Sequence, residues 1–201
     1  MQITEAVKHL LFINLILFFA SLGLMGDFKY QLYLFYPESE YFKPWQIITH
    51  MFMHGSMNHI LFNMLSLFFI GPMMEYSLGT KRFVSFYLAC GMGGAILHVL
   101  FKFITLHYFG ASGELDIPMV GASGAINGLF VGLAYLYPEM PMSLLFIPVP
   151  IKAKYLAIFF IVADLLWGLS GYVTGIAHFA HLGGALVGFL LLYLWRNNKR
   201  Y

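Results

Sequence analysis

The chain has 201 residues, of which 60% are hydrophobic and only 10% charged, with a net charge of +2. Soluble domains carry about 25% charged residues, so this composition excludes a water-soluble globular fold and indicates an integral membrane protein. The cations belong to loops between apolar stretches, and no nucleic-acid partner is expected.

Segments apolar enough to span a bilayer recur six times, at 6–25, 57–76, 83–101, 122–137, 155–170 and 174–195. The first resembles a signal peptide, but it is long for one and lacks a small-x-small cleavage site before Asp27, so it reads as a retained helix. With six helices and both termini cytoplasmic, the inner side holds Lys8, Lys81, Arg82, Lys152, Lys154, Arg196, Lys199 and Arg200, against Lys29, Lys43 and Lys102 outside. That bias is the one the positive-inside rule requires. The expected fold is therefore an all-α membrane protein, residues 1–201 forming one six-helix transmembrane domain.

Between the first two segments, residues 27–53 carry nine Phe, Tyr and Trp rings, among them Tyr33, Tyr41 and Trp45, and are expected in the outer interfacial zone. The second segment contains His59 and Asn63, and ends near Glu75, for which a local ion pair with Lys81 and Arg82 is expected. In the third, the lone Cys90 sits among Gly91, Gly93 and Gly94 and reads as packing. His98 and His107 have no partner visible in the sequence.

The fourth segment opens with Gly121-Ala122-Ser123-Gly124 and continues with Gly128 and Gly132 at four-residue spacing. The sixth contains His178-Phe179-Ala180-His181, then Gly184 and Gly188. Such small-residue faces let helix backbones approach closely in a membrane. The fourth and sixth segments are thus expected to pack face to face, bringing Ser123 towards His181. The Pro-rich stretch 138–150 between the fourth and fifth is expected to be an inner turn, since proline cannot continue a helix.

Depth supports the convergence. Asn63, Ser123 and His181 lie thirteen or fourteen residues from Tyr76, Tyr137 and Trp195, taken as inner-interface markers. At about 1.5 Å per residue all three lie roughly 20 Å above the inner surface. His59 is one turn higher. Asp164, the only carboxylate deep in a span, is nine residues from Tyr155, or about 14 Å. It is expected to lie too low to orient His181 and to serve as a structural hydrogen-bonding group. Polar groups at such depth are costly unless paired or hydrated, and a water-filled cavity open to the outer side would satisfy them.

Ser123 alone is compatible with an ordinary helix cap, and His181 alone with a packing histidine. Together at one depth they supply a nucleophile and its base. The histidines His50, His54, His59, His178 and His181 could suggest a metal site, but no His-Glu-x-x-His pattern accompanies them and no metal is expected.

These residues resemble the rhomboid family of intramembrane serine proteases: His59-x-x-x-Asn63, Gly121-x-Ser123-Gly124 and Ala177-His178-x-x-His181-x-x-Gly184, with Glu75 and Gly79 fitting as well. The resemblance runs from about Trp45 to Trp195. It implies a six-helix bundle in the cell's inner (plasma) membrane, no bound cofactor, and transmembrane proteins as substrates. It also implies a Ser123–His181 dyad without an acidic third member. His59, Asn63 and the Ser123 backbone N–H would stabilise the oxyanion, while Gly121, Asn127 and His178 would be cavity neighbours. Two positions depart from the family pattern. Gln46 follows Trp45 where a loop-anchoring arginine is usual. Asn127 replaces an aromatic that packs on the catalytic histidine, and is expected to hydrogen-bond His181 instead. The alternatives are a catalytically silent relative that binds membrane proteins, and a small transporter with a histidine-lined pathway.

Overall fold

The computed structural model describes residues 2–144, 147–170 and 175–197. Its long elements are all helical: α1 (Glu5–Leu22), α3 (Met57–Leu78), α4 (Thr80–Tyr108), α5 (Ser123–Leu136), α6 (Ala153–Leu169) and α7 (His178–Asn197), with a single turn, α2 (Gln46–Thr49), in the first connection. Each falls on one of the six apolar segments. Four of them, α1, α3, α4 and α7, are long and apolar enough to cross a membrane, whereas α5 and α6 have 14 and 17 residues. The predicted start of the sixth segment at Thr174, and the cations Lys199 and Arg200, lie outside the described residues.

Local chemistry explains the helix ends. Ser56 caps α3 by accepting the His59 N–H at 3.2 Å, the role for which a short hydroxyl side chain is suited. Gly79, at φ 74°, then turns the chain directly into α4, a conformation that favours glycine. The first-turn N–H groups of α1 lack intrahelical acceptors, and the Glu75 carboxylate supplies them, accepting from Ala6 and Val7 at 3.1 Å each and from the Thr80 hydroxyl at 2.8 Å. This corrects the expected ion pair of Glu75 with Lys81 and Arg82. The backbone donors are fixed in place by α1, so a buried carboxylate, 4% exposed, is satisfied without recruiting a flexible surface cation.

Helix α7 is the hub, packed on α4, α5 and α6. The expected glycine seam joins α5 to α7. A Cβ on Gly184 would overlap the Gly124 carbonyl, and one on Gly188 would meet the Gly128 carbonyl at 2.7 Å. Cys90 is buried and faces Gly128, in line with the packing role read from the sequence. A second close approach, Gly183 against the Gly93 carbonyl and Gly94, holds α7 on α4.

Two connections differ from expectation. The Pro-rich stretch is a two-stranded antiparallel hairpin, β1 (Pro141–Leu144) and β2 (Ile147–Lys152), rather than a simple turn. Both strands are edges, where proline's missing N–H is tolerated. The aromatic connection is tied down without the arginine. Gln46, fully buried, accepts the Phe35 N–H at 3.2 Å and donates to the Tyr41 carbonyl at 2.9 Å, with longer contacts to Tyr30 and Gln31. An amide carries both donors and an acceptor, so it can staple several loop strands at once. Trp45 Nε1 donates to the Gln31 carbonyl at 2.8 Å, and His107, without a visible partner in the sequence, reaches Glu38 at 3.4 Å.

Candidate active site

Ser123 is the first residue of α5, and Ala122, not Ser123, occupies the cap position. The cap reading of Ser123 therefore fails: its Oγ lies 2.9 Å from His181 Nε2 on α7. The approach of the two helices along the glycine seam, one turn below, is what permits this distance.

The chain entering α5 is shaped for close approach. Gly121 has φ 120°, and a Cβ there would sit 2.5 Å from His59 Nε2 and 3.6 Å from Asn63 Nδ2. Glycine is needed at this position both for its backbone conformation and for the absence of a side chain. Its N–H donates to the His50 carbonyl at 2.9 Å, and Met119 pairs with Leu34. The loop leading into Ser123 is thus fastened to the aromatic connection.

Asn58, His59, Asn63, Gly121, Ser123 and His181 line one cavity of about 670 Å³. Asn63 Nδ2 is buried with no hydrogen-bond partner among the described residues, a costly state unless something enters to accept from it. The N–H groups of the first turn of α5 likewise have no acceptor within the helix, and they point the positive end of its dipole towards this space. Next to the cavity, burial pushes the imidazoles of His50 and His54 down to about 4 and about 3. Both are neutral through the physiological range and add no positive charge.

Asp164 on α6 overturns the depth argument. Its Oδ1 and Oδ2 lie 3.1 and 3.2 Å from His181 Nδ1, and Oδ1 also accepts from His178 Nδ1 at 2.7 Å. The depth argument used Cα rise and one aromatic marker per helix. The apparent shortfall is about one turn, ~5.4 Å, which the reach of two side chains bridges. The expectation that Asp164 lies too low to orient His181 is corrected with it. The ligating atoms of Asp164, His178 and His181 lie within 4.8 Å of one another, a spacing a shared ion can span. Here they engage one another directly. Asn127 is also corrected: its Nδ2 donates at 3.0 Å to the Ser123 carbonyl one turn earlier in α5, not to His181. That intrahelical acceptor is nearer to its rotamer's reach than a group on the next helix.

A serine hydroxyl, an imidazole and a carboxylate thus stand in a line across three helices, beside a cavity lined by the buried Asn63 amide, in a protein with helices long and apolar enough to cross a membrane. Such an arrangement can offer a nucleophile, a base and an orienting carboxylate. The Rhomboid domain matches residues 41–198 of the chain, which belongs to the rhomboid family. It is similar to RHOMBOID-like protein 4 of Arabidopsis thaliana (36% identity over 73% of this chain and 33% of that protein). Rhomboid protein 1, mitochondrial, of Saccharomyces cerevisiae matches at 31% over 76% of this chain and 42% of its own length. The rhomboid YdcA of Bacillus subtilis matches at 32%, covering 78% and 71%. The chain thus spans less than half the length of these plant and yeast relatives.

Proposed function

We propose that this protein is an intramembrane serine endopeptidase that hydrolyses peptide bonds in or beside the transmembrane segments of other membrane proteins. The observation that carries the reading is the 2.9 Å contact between Ser123 Oγ and His181 Nε2. Six membrane-crossing helices with both termini cytoplasmic, in the cell's inner membrane, complete it. The charge bias of the loops and the one-to-one match of six helices to six apolar segments support that topology.

The chemistry follows from the residues. As Ser123 Oγ attacks the scissile carbonyl carbon, its proton passes to His181 Nε2 and the carbonyl π pair moves to oxygen. In this reading Asn63 Nδ2, His59 and the Ser123 N–H serve as donors to that oxyanion. The imidazolium returns its proton to the leaving amine, and water repeats the sequence on the acyl-enzyme. The cavity supplies that water, which a bilayer otherwise excludes.

The test needs no substrate. Detergent-purified protein is exposed to a fluorophosphonate and the adduct is read by intact mass. One adduct at Ser123, absent in Ser123→Ala and in His181→Ala, is expected. A folded wild type that forms none overturns the reading in favour of a silent, binding-only relative.

A further inference from the structure

His181 must satisfy two requirements as a base. Its Nε2 must be the unprotonated nitrogen, and its ring must be held towards Ser123. A neutral imidazole carries one N–H and one acceptor nitrogen, and which is which is set by the partner of the other nitrogen. Asn127, on α5, bonds within its own helix and does neither job. No hydrogen bond to His181 Nδ1 comes from α5 or α7 among the described residues.

Asp164 does both. An ionised carboxylate only accepts, so its two oxygens at 3.1 and 3.2 Å require the proton on His181 Nδ1. Nε2 is then left as the acceptor for the Ser123 hydroxyl. The carboxylate is itself fixed. His178 Nδ1 binds Oδ1 at 2.7 Å, and the His178 ring stacks on Trp167, 6.5 Å between centroids and 16° between planes, one turn beyond Asp164 on α6. All three side chains are at least 84% shielded, with exposures of 9, 14 and 16% for His178, Asp164 and His181. Screening of the carboxylate by water is correspondingly weak.

We propose that Asp164 is a positioning residue of the catalytic apparatus, held by His178, that fixes the tautomer and orientation of His181 and stabilises the imidazolium formed when Ser123 loses its proton. This deepens the serine-endopeptidase reading and rests on it. No proton moves to Asp164. It stays ionised while the proton travels from Ser123 Oγ to His181 Nε2 and on to the leaving group.

The experiment follows fluorophosphonate labelling of the full chain as a function of probe concentration, alongside thermal unfolding, for wild type, Asp164→Asn and Asp164→Glu. In this reaction Oγ bonds to phosphorus, fluoride leaves and His181 takes the proton. Asp164→Asn is expected to lower the maximal labelling rate by about 10²–10⁴-fold, with half-saturation and melting midpoint unchanged. Asp164→Glu, which keeps the charge, is expected to recover at least a tenth of the wild-type rate. A second measurement avoids variants at this position. Nitrogen-15 NMR of the histidines in the wild type, with His181 assigned by its loss in His181→Ala, is expected to show the Nδ1–H form.

Asp164→Asn labelling at the wild-type rate overturns the proposal while leaving the protease reading intact. So does a rate lost in step with the melting midpoint and not recovered by glutamate, or an Nε2–H form of His181. A folded wild type that does not label overturns both.

Discussion

The two ends of the helix bundle hold their carboxylates in different ways. At the end where α1 starts and α3 finishes, the Glu75 carboxylate is filled by two backbone N–H groups and a hydroxyl, and Ser77 meets Tyr137 at 2.9 Å. At the end where α5 and α7 start, Asn63 Nδ2 is buried with no partner among the described residues, and Asp164 is bonded by the imidazoles of His178 and His181. A carboxylate satisfied by fixed backbone donors joins helices. One satisfied by an imidazole whose other nitrogen faces a hydroxyl can act on chemistry. Under the proposed function, a substrate carbonyl would accept from Asn63 Nδ2 there.

That contrast can be broken in three ways. The largest effect is expected from Asn63→Ala. Losing one oxyanion donor should slow fluorophosphonate labelling of Ser123 by about 10²–10³-fold, or about 2.7–4 kcal/mol in the barrier, with the melting midpoint little changed. A wild-type rate would remove Asn63 from the site. Next is Glu75→Gln, which keeps the shape but loses the charge at the opposite end. Hydrogen bonds to charged groups contribute about 1.5–3 kcal/mol, so thermal unfolding should shift by a loss of that order. Labelling per folded molecule should stay at the wild-type rate, and a collapse of labelling without loss of stability would erase the distinction between the two ends.

The smallest effect concerns the hairpin. Glu139 is held down to about 2 by hydrogen bonds from Lys152, at 2.7 Å, and from Lys154. A depressed carboxyl contributes stability that is present above its unfolded value of about 4.3 and is lost as pH falls through about 2. Titrating Glu139 by carbon-13 NMR should give a midpoint near 2. A midpoint near 4 would show that these exposed pairs do not persist in solution.

Much of this was legible in the residues. Apolar segment length located the six helices, because spans in a bilayer must be long and apolar. The four-residue spacing of Gly124, Gly128, Gly184 and Gly188 gave the α5–α7 seam, and hence the approach of Ser123 to His181. The Pro-rich stretch gave a break in helix but not a hairpin, since proline marks where a helix stops and not which residues pair beyond it. Gln46 looked like a loss against the arginine pattern, yet its amide anchors the loop by a different set of bonds.

By itself, the sequence determined that the chain is a membrane protein of the rhomboid family and which serine and histidines to compare, because composition, spacing and motif order are one-dimensional properties. Only the tertiary structure decided the partners of its carboxylates. Glu75 turned from a surface ion pair into a cap for α1, and Asp164 from a residue judged too deep into the neighbour of His181. Rise along a helix counts residues to within a turn, whereas a hydrogen bond is decided within about half an ångström. Side-chain reach, which settles that last turn, is fixed only once the helices have packed.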